Sequence, residues 1–470
     1  MNDKTFPDWI PGGYAPRGLI DFELHQARED GRDLEAVAGL ERELDTTEDP
    51  AAILRIYARL LELPAGADFP FTEPDDLQSI RALRPQVDTR RFDVPISDDW
   101  LFDRLYGAWL GGCAGCTLGG PAEAFRPWTR KRLIEYLTAV SPDEWPITDY
   151  LPESSPSEVS FGQFKIDATR ERLKYVPQDD DLTWPVVGQI ALQGLDNPLD
   201  LESRHVAAAW FMNVPYKVTV GGTGMLAYRN LVMRYPMWQI ANASEGEHGI
   251  DWHWVATHSN PYREDIDAAI RADSYGYAAP GMAEIAAGLA WQDARISNVK
   301  NGIYCSMFYS AMIAAAFAID EPQAIVEAGL AEIPTTSRLY AAAKKVIEIC
   351  RQHQHCHDGI EKVHAAIYET FGDDHNGTPN NMALVVSGLL MGGHDFEKVI
   401  AYTVMGGFDS DSTAATAGSI AGAILGAKRL PEKWIKPLND TIYCALPGYH
   451  PIAVSKLARR SVEIAKKVLK

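Results

Sequence analysis

Two clusters of carboxylates carry most of the chemical information in this chain. Asp179-Asp180-Asp181, in VPQDDDLTWPVVGQIAL, crowds like charges immediately before an apolar stretch. Such crowding is unfavourable unless a cation, or the roughly half positive charge of a helix N-terminus, compensates it. Read alone, the triplet is a solvated helix cap. Asp409-Ser410-Asp411-Ser412, in GGFDSDSTAATAGSIAGAILGA, stands in the same relation to an Ala/Gly-rich stretch. Two such clusters, each set in strongly apolar sequence, are harder to explain as surface caps. Hard oxygen ligands without accompanying His or thiolate favour Mg²⁺, Mn²⁺ or Ca²⁺ over zinc. Asp-x-Asp-Ser presents carboxylates and a hydroxyl around a tight turn. Together the clusters could hold two divalent cations about 4 Å apart.

Two glycine stripes show how such clusters are brought together. In YGAWLGGCAGCTLGGPAEAF, Gly107, Gly111 and Gly115 recur every four residues, as do Gly418, Gly422 and Gly426 after the second cluster. Glycine inside a helix costs about 1 kcal/mol relative to alanine, so a stripe of them implies close backbone approach. Packing these two helices together would set Glu123 near Asp409 and Asp411.

Strand-like alternation is scarce throughout 99–470, and apolar stretches at 183–194, 205–211, 281–292, 306–318, 382–391 and 413–428 dominate. They predict an all-α domain over 99–470, opening with a helix capped by Ser97 or Asp98 that turns Leu101, Leu105, Ala108 and Trp109 inward. Residues 1–98 read as a helical N-terminal extension. Within it, Asp49-Pro50 starts a helix with Ile53, Ile56, Tyr57, Leu60 and Leu61 on one face, closed by Leu63-Pro64.

The chain has 470 residues, with 44 Lys and Arg against 64 Asp and Glu, for a formal charge of −20. So acidic a surface repels phosphate backbones, so neither nucleic acid nor an anionic membrane is expected as a partner. The start, MNDKTFPDWIPGG, lacks a basic and apolar leader pattern. The apolar runs around Met307–Ile319 and Met382–Gly392 fall short of the roughly 18 residues of a membrane span. A soluble, cytoplasmic protein is the expectation. Six cysteines make no disulfide scaffold. Cys113 and Cys116, inside the glycine-rich helix, read as small core residues rather than a redox pair. Cys350, His353 and His357 share a helical face and could bind zinc, but a polar helix end is the favoured reading.

These motifs, in this order, resemble the ADP-ribosylglycohydrolase family, the group that includes dinitrogenase reductase-activating glycohydrolase. The family's Gly-Asp-Ala-Leu-Gly-x-Pro-x-Glu segment corresponds to Gly115-Cys116-Thr117-Leu118-Gly119-Gly120-Pro121-Ala122-Glu123. Its Thr-Asp-Asp-Thr segment corresponds to Gln178-Asp179-Asp180-Asp181, and its Gly-Gly-Asp-Thr-Asp-Thr segment to Gly406-Gly407-Phe408-Asp409-Ser410-Asp411-Ser412. The similarity spans roughly 100–430. Cys116 stands where the family usually has Asp, Gln178 where it has Thr, and Phe408 is inserted. SNVKNG at 297–302 lacks the Thr-His of many relatives.

The resemblance implies an all-α fold, a site for two Mg²⁺ (or Mn²⁺), and hydrolysis at C1 of an ADP-ribosyl unit on a small or protein-linked conjugate. Carried over, the metal ligands are Asp179, Asp180, Asp181, Asp409, Asp411 and Ser412. Glu123 positions substrate or controls metal access, and Asp180 is the candidate base. For the substrate, Val220-Gly221-Gly222-Thr223-Gly224 could offer backbone N–H groups as an anion nest, as could Gly406-Gly407. The stretch 270–273, with Asp273, and the stretch from His375-Asn376 to Asn380-Asn381 are candidates for lining the pocket. Two other readings stay open: hydrolysis of a different nucleoside or glycoside, and a catalytically silent binding protein on the same fold.

Overall fold

The computed structural model describes residues 16–123, 129–159, 165–216, 222–241 and 249–470. Val220 and Gly221 of the expected nest, and residues 1–15 of the extension, lie outside them.

Helices dominate, as the scarcity of alternating β-branched sequence predicts. The first are α1 (Pro16–Glu29), α2 (Leu34–Leu44), α3 (Pro50–Leu61) and α4 (Leu77–Leu83). The Asp49 side chain caps α3 by accepting from the N–H groups of Ala51 and Ala52, with Pro50 in the first turn. Ile53, Ile56, Tyr57 and Leu60 are buried as the spacing predicts, in an apolar cluster that α1–α3 form among themselves. Leu61 differs: it is 38% exposed, because the helix ends there and its side chain falls off the buried face.

Next come α5 (Asp98–Glu123), α6 (Arg130–Val140), α7 (Asp180–Gln193), α8 (Ser203–Asn213) and α9 (Gly222–Arg234). They are followed by α10 (Met237–Ala241), α11 (Trp252–Thr257), α12 (Asp273–Ala278), α13 (Ala283–Ala294) and α14 (Lys300–Ala316). Then follow α15 (Pro322–Leu330), α16 (Arg338–His353), α17 (Gly359–Phe371), α18 (Thr378–Gly392) and α19 (Phe396–Val404). The chain finishes with α20 (Ser410–Leu425), α21 (Glu432–Ile435) and α22 (Val454–Val468). One short antiparallel pair joins β1 (Thr441–Ile442) to β2 (Ile452–Ala453). Among the described residues, no helix is long and apolar enough to cross a membrane.

At the centre α5 lies against α20. From Gly107 to Ala122 every residue of α5 is buried, as expected of a helix that is apolar on all sides. The glycine stripes set the contact. A Cβ on Gly111 would stand 2.1 Å from the Gly418 carbonyl oxygen, and one on Gly422 2.1 Å from that of Gly107. The stripe runs further than the sequence pattern suggests, since a Cβ on Gly119 would meet the Ser410 oxygen at 2.2 Å. Gly426 is not an interior member. It sits just past the end of α20 at φ +75°, its N–H donating to the Gly422 carbonyl at 2.8 Å, and so stops the helix. Helices α14, α18 and α19 pack on α20, while α22 packs on α5.

A candidate metal centre between two helix N-termini

Both carboxylate clusters sit at the start of a helix. Asp179 caps α7, its Oδ1 accepting from the Asp181 N–H at 3.1 Å. Asp409 precedes α20, and its own N–H donates to Asn381 Oδ1 at 3.2 Å. Ser412 Oγ donates to Asp409 Oδ1 at 2.9 Å, and the Ser412 N–H to Asp411 Oδ1 at 3.0 Å. The inserted Phe408 takes φ 56°, uncommon for a bulky residue, with its ring stacked on Tyr368 at 4.6 Å.

The close approach of α5 to α20 delivers the last residue of α5 to the second cluster. Oxygens of Glu123, Asp409 and Asp411 lie within 4.8 Å of one another, as the stripes predict. Ligand atoms of Cys116, Asp179 and Asp181 form a second group within the same limit. Glu123, Asp180, Asp181, Asp409, Asp411 and Ser412 line one cavity of about 150 Å³, with Gly222, Ile266, Asp267, Ile270 and Asn376.

One cation stands among these acids. Lys165 Nζ pairs with Asp179 and reaches Asp411 Oδ2 at 3.3 Å. Burial disfavours ionisation of Asp411, yet Lys165 and donors from the neighbouring side chains hold its carboxyl below the usual range. In the other acids of the cavity, burial and mutual repulsion outweigh that cation. Burial first, then repulsion from Asp411, pushes Glu123, Asp181 and Asp409 well above the carboxylate range. Burial and then Asp179 bring Asp180 up to about 7. Burial likewise keeps the Cys116 thiol protonated. Asp181 Oδ1 has no hydrogen-bond partner among the described residues although the residue is 4% exposed. A buried acceptor left orphaned is costly, and here it borders a cavity ringed by hard oxygen donors. That donor set fits a hard divalent cation.

A model of the ADP-ribosylglycohydrolase family matches residues 97–466. The chain belongs to this family. A solved ADP-ribosylglycohydrolase-related protein complex is similar over 79% of this chain and 99% of that chain, at 13% identity and a TM-score of 0.48. Comparison with curated proteins gives no match.

Within this ADP-ribosylglycohydrolase-family chain, the expected substrate contacts divide. Gly222 lines the cavity, but Thr223, Gly224, Asp273, His375 and Gly407 are not among its lining residues. Each has a structural reason. The N–H groups of Thr223 and Gly224 hydrogen-bond the Asp267 carboxylate, so the protein's own side chain fills that part of the anion nest. A Cβ on Gly222, at φ +63°, would meet Asp267 Oδ1 at 2.4 Å. The Gly406 and Gly407 N–H groups bond back to the carbonyls of Thr403 and Val404 at 3.1 and 3.0 Å, leaving no second nest. Asp273 is buried in the core and accepts from Tyr277 Oη at 3.0 Å, beside Ser419 of α20. His375 is exposed; its neighbour Asn376 lines the cavity instead.

The residues that sequence reasoning missed are Lys165, Ile266 and Asp267. Lys165 is an isolated lysine fourteen positions before Asp179 in a stretch without periodicity, and no signal marks it. Asp267 is one acid among several in REDIDAAIRAD. SNVKNG braces the wall that carries it, Asn298 Nδ2 donating to the Asp265 carbonyl at 2.8 Å. The zinc alternative does not assemble. Cys350 is buried in α16, His357 is exposed beyond its end, and the two fall in none of the metal-capable groups among the described residues.

Proposed function

We propose that this protein is a divalent-metal-dependent hydrolase that cleaves a glycosidic bond at C1 of an ADP-ribosyl unit, carried by a protein or a small conjugate. The observation that carries the reading is the convergence of Asp180, Asp181, Asp409, Asp411, Ser412 and Glu123 on one cavity with an orphaned Asp181 oxygen. Family membership supports the reaction class.

Asp180, Asp181, Asp409, Asp411 and Ser412, which line the cavity, would hold Mg²⁺ or Mn²⁺, while Asp179 pairs with Lys165 and caps α7. When bound, such a cation supplies the charge that grips vicinal ribose hydroxyls and acidifies water. Cleavage at an anomeric carbon develops oxocarbenium-like positive charge, which carboxylates on the cavity wall stabilise. Asp180, on that wall and partly open to solvent, takes the proton of the attacking water. Glu123, at the free end of α5, orients the ribose. Asn381 fixes Asp409 from behind.

The test is calorimetric titration of metal-free protein with Mn²⁺, then ADP-ribose on the loaded protein. Metal uptake followed by metal-dependent ADP-ribose binding is the expected result. Asp411→Ala should lose metal and activity together, whereas Glu123→Gln should keep most of its metal affinity. Full metal retention by Asp411→Ala would overturn the ligand assignment.

One observation favours a second reading, hydrolysis of an uncharged nucleoside or glycoside. Asp267 occupies the N–H cradle suited to a phosphate and adds an acid to the wall. Loaded protein that binds a nucleoside but not ADP-ribose would decide for that reading.

A further inference from the structure

Lys165 lies where the two ligand clusters meet. Its ammonium contacts Asp179, from the start of α7, and Asp411, from the start of α20, so one side chain bridges the carboxylates of both clusters. The side chain is 14% exposed, and an ammonium so enclosed is stable only when paired. Its placement is built in. The Lys165 backbone is left-handed at φ 52°, rare for a residue with a side chain. The stem runs along α5 at Gly120, where an added Cβ would come within 3.4 Å of Lys165 Cδ. An ammonium is a compact point charge with several donors, which suits it to bridge oxygens that would otherwise ligate a metal. Asp179 and Asp181 are joined only by Cys116 in their metal-capable group among the described residues. The other group, Glu123 with Asp409 and Asp411, consists wholly of carboxylates.

We infer that Lys165 is a resident cation filling one of two cation positions at this site, so that the chain takes up a single divalent ion on the Asp409 and Asp411 side. The inference rests on the proposed reading of the cavity as a metal site. Removing the ammonium opens the second position, with Asp179 released to ligate.

The test counts Mn²⁺ ions bound per full-length chain, by calorimetry together with electron paramagnetic resonance. Wild type should bind one ion with an uncoupled spectrum. Lys165→Met, which keeps the stem and removes the charge, should bind two ions with a spin-coupled spectrum. Lys165→Gln is measured in parallel, and either folded variant binding two supports the assignment. Two ions in wild type, or one in the folded variants, overturns the inference and leaves the metal reading standing. No ion in wild type overturns the metal reading itself, and the inference with it.

Discussion

Two acidic clusters flank the segment Arg263–Arg271, and they are neutralised in opposite ways. At the junction between α1 and the main body, Glu23, Asp30, Glu73 and Glu264 meet Arg263, Lys300 and Arg338. Arg263 Nη2 lies 2.7 Å from Glu23 and 3.1 Å from Asp30, and Arg338 Nη2 lies 2.7 Å from both Glu73 and Glu264. Burial opposes ionisation of Asp30, but Arg263 and Lys300 hold its carboxyl well below the usual range. Burial wins at Glu23 despite Arg263, and pushes Glu264 up to about 7 despite Arg338. In the cavity, Glu123, Asp180, Asp181, Asp409 and Asp411 line the wall, and the ion pairs there among the described residues are those of Lys165 with Asp411 and with neighbouring Asp179. Three of those acids are pushed far up. The difference separates scaffold from site. A cluster that carries its own cations only needs to hold two parts together, whereas an under-neutralised one leaves the balance to a ligand.

The largest expected effect tests the self-neutralised side. Arg263→Met leaves Glu23 and Asp30 buried without their shared guanidinium, and breaking such a pair costs about 3–5 kcal/mol. Denaturant unfolding of wild type and variant reads it directly. A loss no larger than that of exposed ion pairs, about 1 kcal/mol or less, would show that the junction is not the interlocked cluster described. The converse substitution belongs in the cavity. Asp181→Asn removes a charge that nothing among the described residues pairs, so the metal-free protein should melt at the same temperature or higher. Its Mn²⁺ affinity should fall by at least about tenfold, or 1.4 kcal/mol. A clear drop in metal-free melting temperature would place Asp181 with the balanced acids and collapse the comparison.

These two regions also differ in how far the sequence discloses them. The cavity is legible because its parts are local patterns: two runs of acids before apolar helices, and glycines every fourth residue that demand contact between α5 and α20. From those alone Glu123 is correctly brought to Asp409 and Asp411. The all-α class follows from the same apolar stretches. The junction leaves no such trace. Glu23 and Arg263 are 240 positions apart, and Glu73 and Arg338 are 265 apart. Each is one charge among many on helices and loops that periodicity cannot pair. Lys165 and Asp267 escape for the same reason, since their role comes from what tertiary packing sets beside them. The anion nest fails differently. The Gly-rich turn does present N–H groups, but sequence cannot say that Asp267 reaches them first.

The smallest effect probes the outer edge of the junction, where His25 of α1 reaches Asp374 at 3.3 Å. The hydrogen bond to Asp374 outweighs burial and raises the His25 pKa, with Glu29 adding to it and Arg28 opposing. A histidine whose folded pKa is raised contributes stability that is full below its unfolded value near 6.5 and is lost as pH rises through the folded value. Docking of α1 should therefore be tighter at pH 6 than at pH 8, by only a few tenths of a kcal/mol because the pair is half open to water. Hydrogen exchange of α1 amides, corrected for intrinsic rates, measures it, and His25→Gln should erase the pH dependence while leaving Mn²⁺ binding unchanged. If the variant also shifted Mn²⁺ affinity, the junction and the cavity would be energetically linked through Asp374 and Asn376, and the division between scaffold and site would have to be redrawn at that loop.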